Sequence, residues 1–235
     1  MKVLKVGKSI FKMSLEKALS TAGTEDTIQL APGRYNLDTV INRGITFEAE
    51  FPDSSVVITG TLSINNTSCI FKNITFECSA RDKNLIVANQ SNLMFEHCSF
   101  YGNHIELARA IFLTKSNLTV YCCSFSGISS NAIKAMKSSK VAVYKSIFKD
   151  LKDSSAIYME SSQLDIQDCR FINITTNAVN AIGKSDIKAR DCEWEVTKAP
   201  ALYLNPKVTV EITDSVFKSS NTVIFAQQAT LIIAS

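Results

Sequence analysis

Three aspartates recur at one spacing in this chain, since Asp168, Asp191 and Asp214 are each 23 residues apart. If the chain repeats with that period as parallel strands, the three carboxylates stand in a row about 4.8 Å apart. Such a row could bind Ca²⁺, which takes six to eight oxygen ligands. The alternative, which we favour, is that they are turn residues whose carboxylates bond neighbouring backbone N–H groups. We therefore predict no metal site and no cofactor.

The chain has only two histidines, His97 and His104. Either could act as a general base or a metal ligand. His97, however, occupies the same polar position of the repeat as Asn73 and Asp168, which favours an ordinary solvent-facing residue. The sequence also contains no phosphate-binding glycine loop, no nucleophile elbow and no Cys-x-x-Cys pair. We therefore predict no catalytic residue.

Seven cysteines are present, and four of them share one position of the repeat: Cys98, Cys123, Cys169 and Cys192. Small buried core residues behave in this way. A row with one thiol per coil cannot converge tetrahedrally on one ion, so core packing is favoured over metal binding. We expect reduced thiols in a cytoplasmic protein, with secretion as the rival because sequons occur at Asn117 and Asn173.

Charge and hydropathy each argue against one class of partner. The net charge of +3 comes from 25 basic and 22 acidic residues scattered along the chain, so a nucleic-acid partner is not expected. No run approaches the roughly 20 apolar residues of a membrane span, so no membrane partner is expected. One lysine-rich segment could bind an anion, although a solvated face is favoured: Lys134, Lys137, Lys140, Lys145, Lys149 and Lys152.

The elements that must position these residues form a repeat of 22 to 25 residues. Its aromatic anchors are spaced 24, 25, 23, 23, 23 and 23 residues apart: Phe76, Phe100, Phe125, Phe148, Phe171, Trp194 and Phe217. Apolar residues two apart, such as Leu164 and Ile166, give each copy β periodicity. Strands that stack coil on coil must be parallel, so the anchors and the cysteines form two interior columns.

A second strand follows in every coil, as in Ala156-Ile-Tyr-Met and Ala201-Leu-Tyr-Leu. If its flanking residues point inward, one outward row remains: Phe112, Lys134, Tyr158, Asn180, Tyr203 and Phe225. Four aromatics among six suggest a platform that stacks sugar rings, or a docking surface for a protein. The alternative is that aromatic residues are favoured at exposed strand positions for structural reasons alone.

The sequence predicts an all-β fold, a right-handed parallel β-helix solenoid with a short N-terminal capping helix. Residues 13–23 carry apolar residues at helical spacing and end on Gly23, as a helix does. We expect one domain over 1–235, with the cap and irregular first coils in 1–60 and regular coils in 61–235. No cap is visible near Ser235, so we expect a longer protein, or a partner at that end.

The segment from Ala18 to Tyr35, which contains Ala-Pro-Gly-Arg-Tyr, resembles the entry to the pectin-lyase-like superfamily. The recurring Asp-Cys-x-Phe or Trp at 168–171 and 191–194 is similar to its coil repeats. The resemblance implies the fold over essentially the whole chain. Among members are polysaccharide lyases, glycoside hydrolases, phage tailspikes and non-catalytic modules. The galacturonase-like motifs Asn-Thr-Asp, Gly-His-Gly and Arg-Ile-Lys are absent here, as is an Asp-Asp pair.

These observations favour a non-catalytic binding or scaffold module, part of a larger protein, that presents its ladder surface to a protein or carbohydrate partner. The alternative is a carbohydrate-active enzyme, either a polysaccharide lyase or a glycoside hydrolase, or its binding part. A third hypothesis is a phage or secreted surface protein, which would form trimers.

Overall fold

The computed structural model describes residues 1–53, 55–81, 83–219 and 222–234. Ser235, where the last predicted strand segment ends, lies outside these ranges. Among the described residues the chain forms one short helix, Leu15–Thr21, and three long parallel sheets. No helix in the described part of the chain is both long and apolar enough to cross a membrane.

The three sheets wind together as an all-β parallel β-helix, which confirms the predicted fold class. Sheet A contains the strands Val3–Val6, Asp26–Leu30, Ile45–Ala49, Ser68–Lys72, Asn92–Glu96, Asn117–Tyr121, Lys140–Tyr144, Gln163–Gln167, Asp186–Arg190, Thr209–Thr213 and Thr230–Ala234. Sheet B contains Gly33–Asn36, Val56–Thr59, Thr75–Glu77, Ser99–Tyr101, Ser124–Ser126, Ile147–Lys149, Arg170–Ile174, Glu193–Val196 and Val216–Ser219. Sheet C contains Thr39–Ile41, Leu62–Asn65, Asn84–Asn89, Arg109–Thr114, Ile133–Met136, Ile157–Glu160, Val179–Ile182, Leu202–Leu204 and Ile224–Ala226.

Each regular coil therefore has three strands, whereas the sequence pattern predicted two. The ten-residue segment 162–171 was interpreted as one strand, but it bends between Gln163–Gln167 and Arg170–Ile174. The bend lies at Asp168, whose backbone φ is 54°. It explains why the inward residues Ile166 and Cys169 are three apart rather than two, because a left-handed turn interrupts the alternation of a strand. Cys122 and Cys123 lie in the equivalent turn and not on one strand.

The predicted aromatic column is confirmed inside sheet B. Its rings from Phe76 to Trp194 are at most 1% exposed and lie nearly parallel, with centroids 4.4 to 5.1 Å apart. Phe217 continues the stack at 5.6 Å from Trp194. A second stack that the sequence pattern did not predict lies inside sheet A, where Phe47, Phe71 and Phe95 are 5.2 and 4.8 Å apart. It meets the first stack edge to face.

The predicted helix is shorter than expected and packs beside the first strand of sheet A. Ser14 caps it, since the Ser14 hydroxyl accepts a hydrogen bond from the Lys17 N–H at 3.2 Å. Leu15 and Ala18 are buried against the core, as their spacing predicted. Gly23 directly follows the cap residue Ala22, as expected of a glycine that ends a helix, but its φ is not left-handed, and its N–H donates to the Asp26 carboxylate at 2.9 Å.

At the other end, Thr230–Ala234 pairs with Thr209–Thr213 and continues the interior columns. Leu231 and Ile233 follow the buried Val210 and Ile212, yet they are 39% and 62% exposed. The predicted partner or further domain at this surface stays a prediction.

Candidate functional site

The six predicted surface residues form one in-register row on the outer face of sheet C. Each is the strand partner of the next: Phe112, Lys134, Tyr158, Asn180, Tyr203 and Phe225. Five are half-buried, and Phe225 is 42% exposed. The register that the aromatic anchors predicted therefore places all six together, and their role in binding stays a prediction. We call them the sheet C row.

Members of the sheet C row contact one another through their ring faces. The Lys134 Nζ atom lies 5.8 Å from the ring centroid of Phe112 and 5.0 Å from that of Tyr158. The rings of Tyr203 and Phe225 stack at 4.8 Å with an interplanar angle of 15°. Ring faces turned toward a neighbouring coil are thus already in contact, so the row does not present them flat to a sugar ring. It presents polar ends and ring edges instead.

The polar ends of the sheet C row form no hydrogen bond or ion pair with the described residues. Neither the Lys134 ammonium nor the hydroxyls of Tyr158 and Tyr203 form a hydrogen bond or ion pair there. The Asn180 Oδ1 atom is buried without a hydrogen-bond partner. Such an atom carries an unrepaid desolvation cost of about 1–3 kcal/mol. Burial, with Glu160 nearby, raises the pKa of Tyr158, so its hydroxyl keeps its proton.

A line of lysines borders the sheet C row at the turns that lead from sheet C into sheet A. Four of five successive turns carry one lysine each: Lys115, Lys137, Lys184 and Lys207. The turn between Lys137 and Lys184 carries Ser161 instead, next to Glu160. All four lysines are exposed, and none forms an ion pair with a described residue. This basic edge was not predicted, because the four residues are far apart in sequence and only the turn geometry aligns them.

The lysine-rich segment that the sequence did single out does not form one site. Lys134 points out from sheet C, Lys140 from sheet A and Lys149 from sheet B. The Lys145 Nζ atom lies over the Tyr121 ring, 5.8 Å from its centroid. The Lys149 Nζ atom is 3.8 Å from a carboxylate oxygen of Asp150. These side chains circle one coil rather than converge.

The three recurring aspartates are exposed turn residues between sheets A and B. Their φ angles of 54°, 52° and 47° are left-handed, and their N–H groups donate to the next coil. Asn73, His97, Cys122 and Lys145 occupy the same turn in other coils. Asn, Asp and His are enriched in this conformation, which accounts for the recurrence by backbone geometry. The predicted bonds from the carboxylates to backbone N–H groups are not formed among the described residues.

The same aspartates line a shallow depression of about 440 Å³. Arg170 Nε lies 2.9 Å from a carboxylate oxygen of Glu193 there, and Lys218 also pairs with Glu193. Across the described residues, no three or more His, Cys, Asp or Glu side chains are grouped to hold a metal ion. His97 is exposed as predicted, with its ring edge-on to Tyr121 at 6.0 Å, and His104 is exposed in a loop after sheet B.

The cysteine column is buried, as predicted, and it has a structural role that the sequence did not reveal. The Cys98 N–H donates to the Cys123 Sγ atom at 3.3 Å, and the Cys123 N–H donates to the Ser146 hydroxyl at 3.1 Å. Either Cys or Ser can therefore occupy this column, because both side chains accept a hydrogen bond from the backbone of the preceding coil. Burial raises the pKa of Cys98, and that of Cys69 to about 11.

A serine ladder at the turn into sheet A does the same work. Ser116 donates its N–H to the Ser139 hydroxyl at 3.1 Å, and the pattern continues through successive coils. The members are Ser91, Ser116, Ser139, Ser162 and Ser185. The sequence shows their regular spacing, but in a chain rich in Ser and Thr isolated serines are expected at the surface, so the ladder was not predicted.

These coils define a class of protein, the parallel β-helix with three sheets per turn. The sequence profile described as "Right handed beta helix region" matches residues 52–193 and 83–234. Together the two matches cover more than half of the chain. The chain therefore belongs to this family. No curated protein sequence matches the chain.

Several solved structures share the fold at low sequence identity. The pectin methylesterase PemA from Erwinia chrysanthemi is 11% identical, with a TM-score of 0.61 over 95% of this chain and 92% of its own. A pectate lyase is 11% identical, with a TM-score of 0.57 over 97% and 79%. A PL6-family alginate lyase is 12% identical, with a TM-score of 0.59 over 99% and 40%. The chain thus spans 40% of the length of this alginate lyase.

Proposed function

We propose that this protein is a carbohydrate-binding β-helix that holds an acidic polysaccharide along the sheet C row and the basic edge without cleaving it. One observation carries the proposal, namely a row of polar groups that form no hydrogen bond or ion pair, beside four lysines that form no ion pair with a described carboxylate. A ligand supplies the missing hydrogen bonds of the row and the missing countercharge of the edge.

The periodicity of the solenoid suits a linear polymer. From Lys134 to Tyr203 the row offers an ammonium, a hydroxyl, an amide and a hydroxyl on four successive coils. At about 4.8 Å per coil these groups span roughly 14 Å along the solenoid axis. A chain molecule lying along that axis meets a new polar group at every coil, so its affinity accumulates with length.

Charge favours an acidic chain over a neutral one at this face. Five ammonium groups, that of Lys134 and those of the basic edge, lie in or beside the row, against one carboxylate near Tyr158, that of Glu160. Exposed charges of this kind attract a polyanion through solvent and are screened by salt, with a Debye length of about 8 Å at physiological ionic strength. We therefore expect binding to weaken as salt rises.

The comparisons support the substrate class and do not identify a reaction. Among the solved structures with this fold are an alginate lyase, a pectate lyase and a pectin methylesterase. At 11–12% identity they share the fold alone. A protein partner suits the row less well, because its aromatic faces already contact one another and little flat apolar surface is left for a protein.

Calorimetric titration with hexagalacturonate tests the proposal. Wild type should bind, and Lys134→Gln should lower the affinity about tenfold, since a hydrogen bond to a charged group contributes about 1.5–3 kcal/mol before solvent screening. Lys149→Gln is the matched control, because this lysine lies on sheet B and should leave the affinity unchanged. Thermal melting of each variant confirms folding.

Three outcomes would overturn the proposal. If hexagalacturonate does not bind, the proposed ligand is wrong. If Lys134→Gln and Lys149→Gln lower the affinity equally, the proposed site is wrong. Release of unsaturated products, reducing ends or methanol from pectin or alginate makes the protein an enzyme instead of a binding module.

A further inference from the structure

A second concave surface lies on sheet A, away from the sheet C row. It is a groove of about 590 Å³, within the usual range of ligand clefts. It extends from the coil of Asn117 to that of Ile232, which are six successive strands of sheet A. At about 4.8 Å per coil its length is roughly 24 Å along the solenoid axis.

Two in-register columns of side chains form the walls of the sheet A groove. The first wall consists of exposed polar residues: Asn117, Lys140, Gln163, Asp186 and Thr209. The second consists of Thr119, Ala142, Asp165, Lys188, Glu211 and the exposed Ile232. The floor is the strand backbone between them, where residues such as Val141 and Leu164 turn their side chains into the core.

The centre of the groove is open, although part of the second wall is already paired. The Lys188 Nζ atom is 3.5 Å from a carboxylate oxygen of Glu211, and the Tyr144 hydroxyl donates to Asp165 at 3.4 Å. Ala142 has the smallest side chain of the second wall and lies between Thr119 and Asp165, which widens the groove there. On the opposite wall, the side chains of Lys140, Gln163 and Asp186 form no hydrogen bond or ion pair with a described residue. Three consecutive coils therefore present free donors and acceptors to whatever lies in the groove.

The chemistry of these walls selects against two ligand classes. Asp165, Asp186 and Glu211 face two lysines, Lys140 and Lys188, so a polyanion would bring its charges close to three carboxylates. An extended peptide gains its main-chain hydrogen bonds by joining a free sheet edge. The floor strands from Asn117–Tyr121 to Thr209–Thr213 offer no such edge, because each is paired on both sides. Among the described floor strands a free edge occurs only at the end of the groove, on Thr230–Ala234.

We propose that the sheet A groove binds a linear uncharged polysaccharide. Sugar hydroxyls both donate and accept, so they match walls on which ammonium, amide, hydroxyl and carboxylate groups alternate from coil to coil. This site is independent of the sheet C row, uses different residues and takes a ligand of different charge. The protein then binds two kinds of glycan on two faces of one solenoid.

The test uses the full chain and a panel of neutral hexasaccharides, cellohexaose, xylohexaose and mannohexaose, in calorimetric titration. We expect at least one to bind. Ala142→Tyr fills the groove from an outward position and should lower that affinity at least tenfold. Gln163→Ala removes one or two hydrogen bonds and should lower it about three- to tenfold. Gln167→Tyr is the matched control, since it adds the same ring to the next outward column, outside the groove.

The results separate this site from the sheet C row. Lys134→Gln should leave neutral-sugar binding unchanged, and Ala142→Tyr should leave hexagalacturonate binding unchanged. The proposal is overturned if none of the three sugars binds, if Gln167→Tyr lowers the affinity as much as Ala142→Tyr, or if hexagalacturonate competes for the groove. A mixed-sequence decapeptide that binds in place of the sugars, and is lost in Ala142→Tyr, would assign the groove to protein instead.

Discussion

Replacing Phe148 with alanine removes one ring from the middle of the aromatic column. Phe148 is fully buried, and its ring stacks on Phe125 at 4.7 Å and on Phe171 at 4.8 Å. Deleting a buried phenylalanine side chain costs about 3–5 kcal/mol. Backbone ladders on both sides fix the coil spacing, so the cavity cannot collapse. We therefore expect Phe148→Ala to lower the free energy of unfolding by about 4–5 kcal/mol, near the upper end of that range.

Urea unfolding measures this loss, with Trp194 as the fluorescent reporter. Trp194 is the only tryptophan and stacks on Phe171 at 4.4 Å, so it senses the column one coil beyond Phe171. Phe225→Ala is the control, because a ring that is 42% exposed should cost less than about 1 kcal/mol. Phe148→Leu should cost about 1–2 kcal/mol and keeps the test available if the alanine variant does not fold. A loss below about 1 kcal/mol in Phe148→Ala would refute the stacked interior column.

Two further predictions concern hydrogen bonds between coils. Ser139→Ala leaves the buried Ser116 N–H without its acceptor and should lower the free energy of unfolding in urea by about 1–3 kcal/mol. Replacing the exposed Ser79 with alanine is the control and should cost less than about 0.5 kcal/mol. Equal losses in the two variants would show that the serine ladder does not stabilise the fold. Asp26 accepts hydrogen bonds from the N–H groups of Gly23 and Lys2, which lower its pKa. The stabilising effect of the Asp26 carboxylate is therefore present above the ordinary carboxyl pKa of about 4 and is lost as pH falls through the lowered pKa. The melting temperature of wild type should exceed that of Asp26→Asn, and this difference should shrink below about pH 4. A difference that does not change with pH would contradict the assignment.

The sequence was sufficient for the fold and for the composition of the sheet C row. Phenylalanines at a constant interval fix the register, because a stacked interior column allows only one alignment of successive coils. Once that register is set, Tyr158 and Asn180 must be neighbours on one face. Alternation of apolar residues also identified which side of each strand is buried.

Other features depend on geometry that residue types do not encode. For the aspartates at 168, 191 and 214 the sequence favoured turn residues over a Ca²⁺ row, but it did not predict the left-handed turn that they share. The sequence suggested a platform for sugar rings or a docking surface for a protein, and it could not show the mutual contacts within the sheet C row, because these depend on side-chain rotamers. The sheet A groove depends on the small volume of Ala142 relative to its neighbours in adjacent coils, which becomes visible only when the coils are superposed.

Hydroxyl-radical footprinting with hexagalacturonate tests the central claim most directly, since it locates the acidic polysaccharide on the surface. If the ligand lies along the sheet C row, oxidation of Tyr158 and Tyr203 should fall on binding. Tyr121 and Tyr144, which lie on sheet A, should be oxidised as before and serve as internal controls. Unchanged oxidation of Tyr158 and Tyr203 in the bound protein, or protection of Tyr121 and Tyr144 alone, would contradict the assignment.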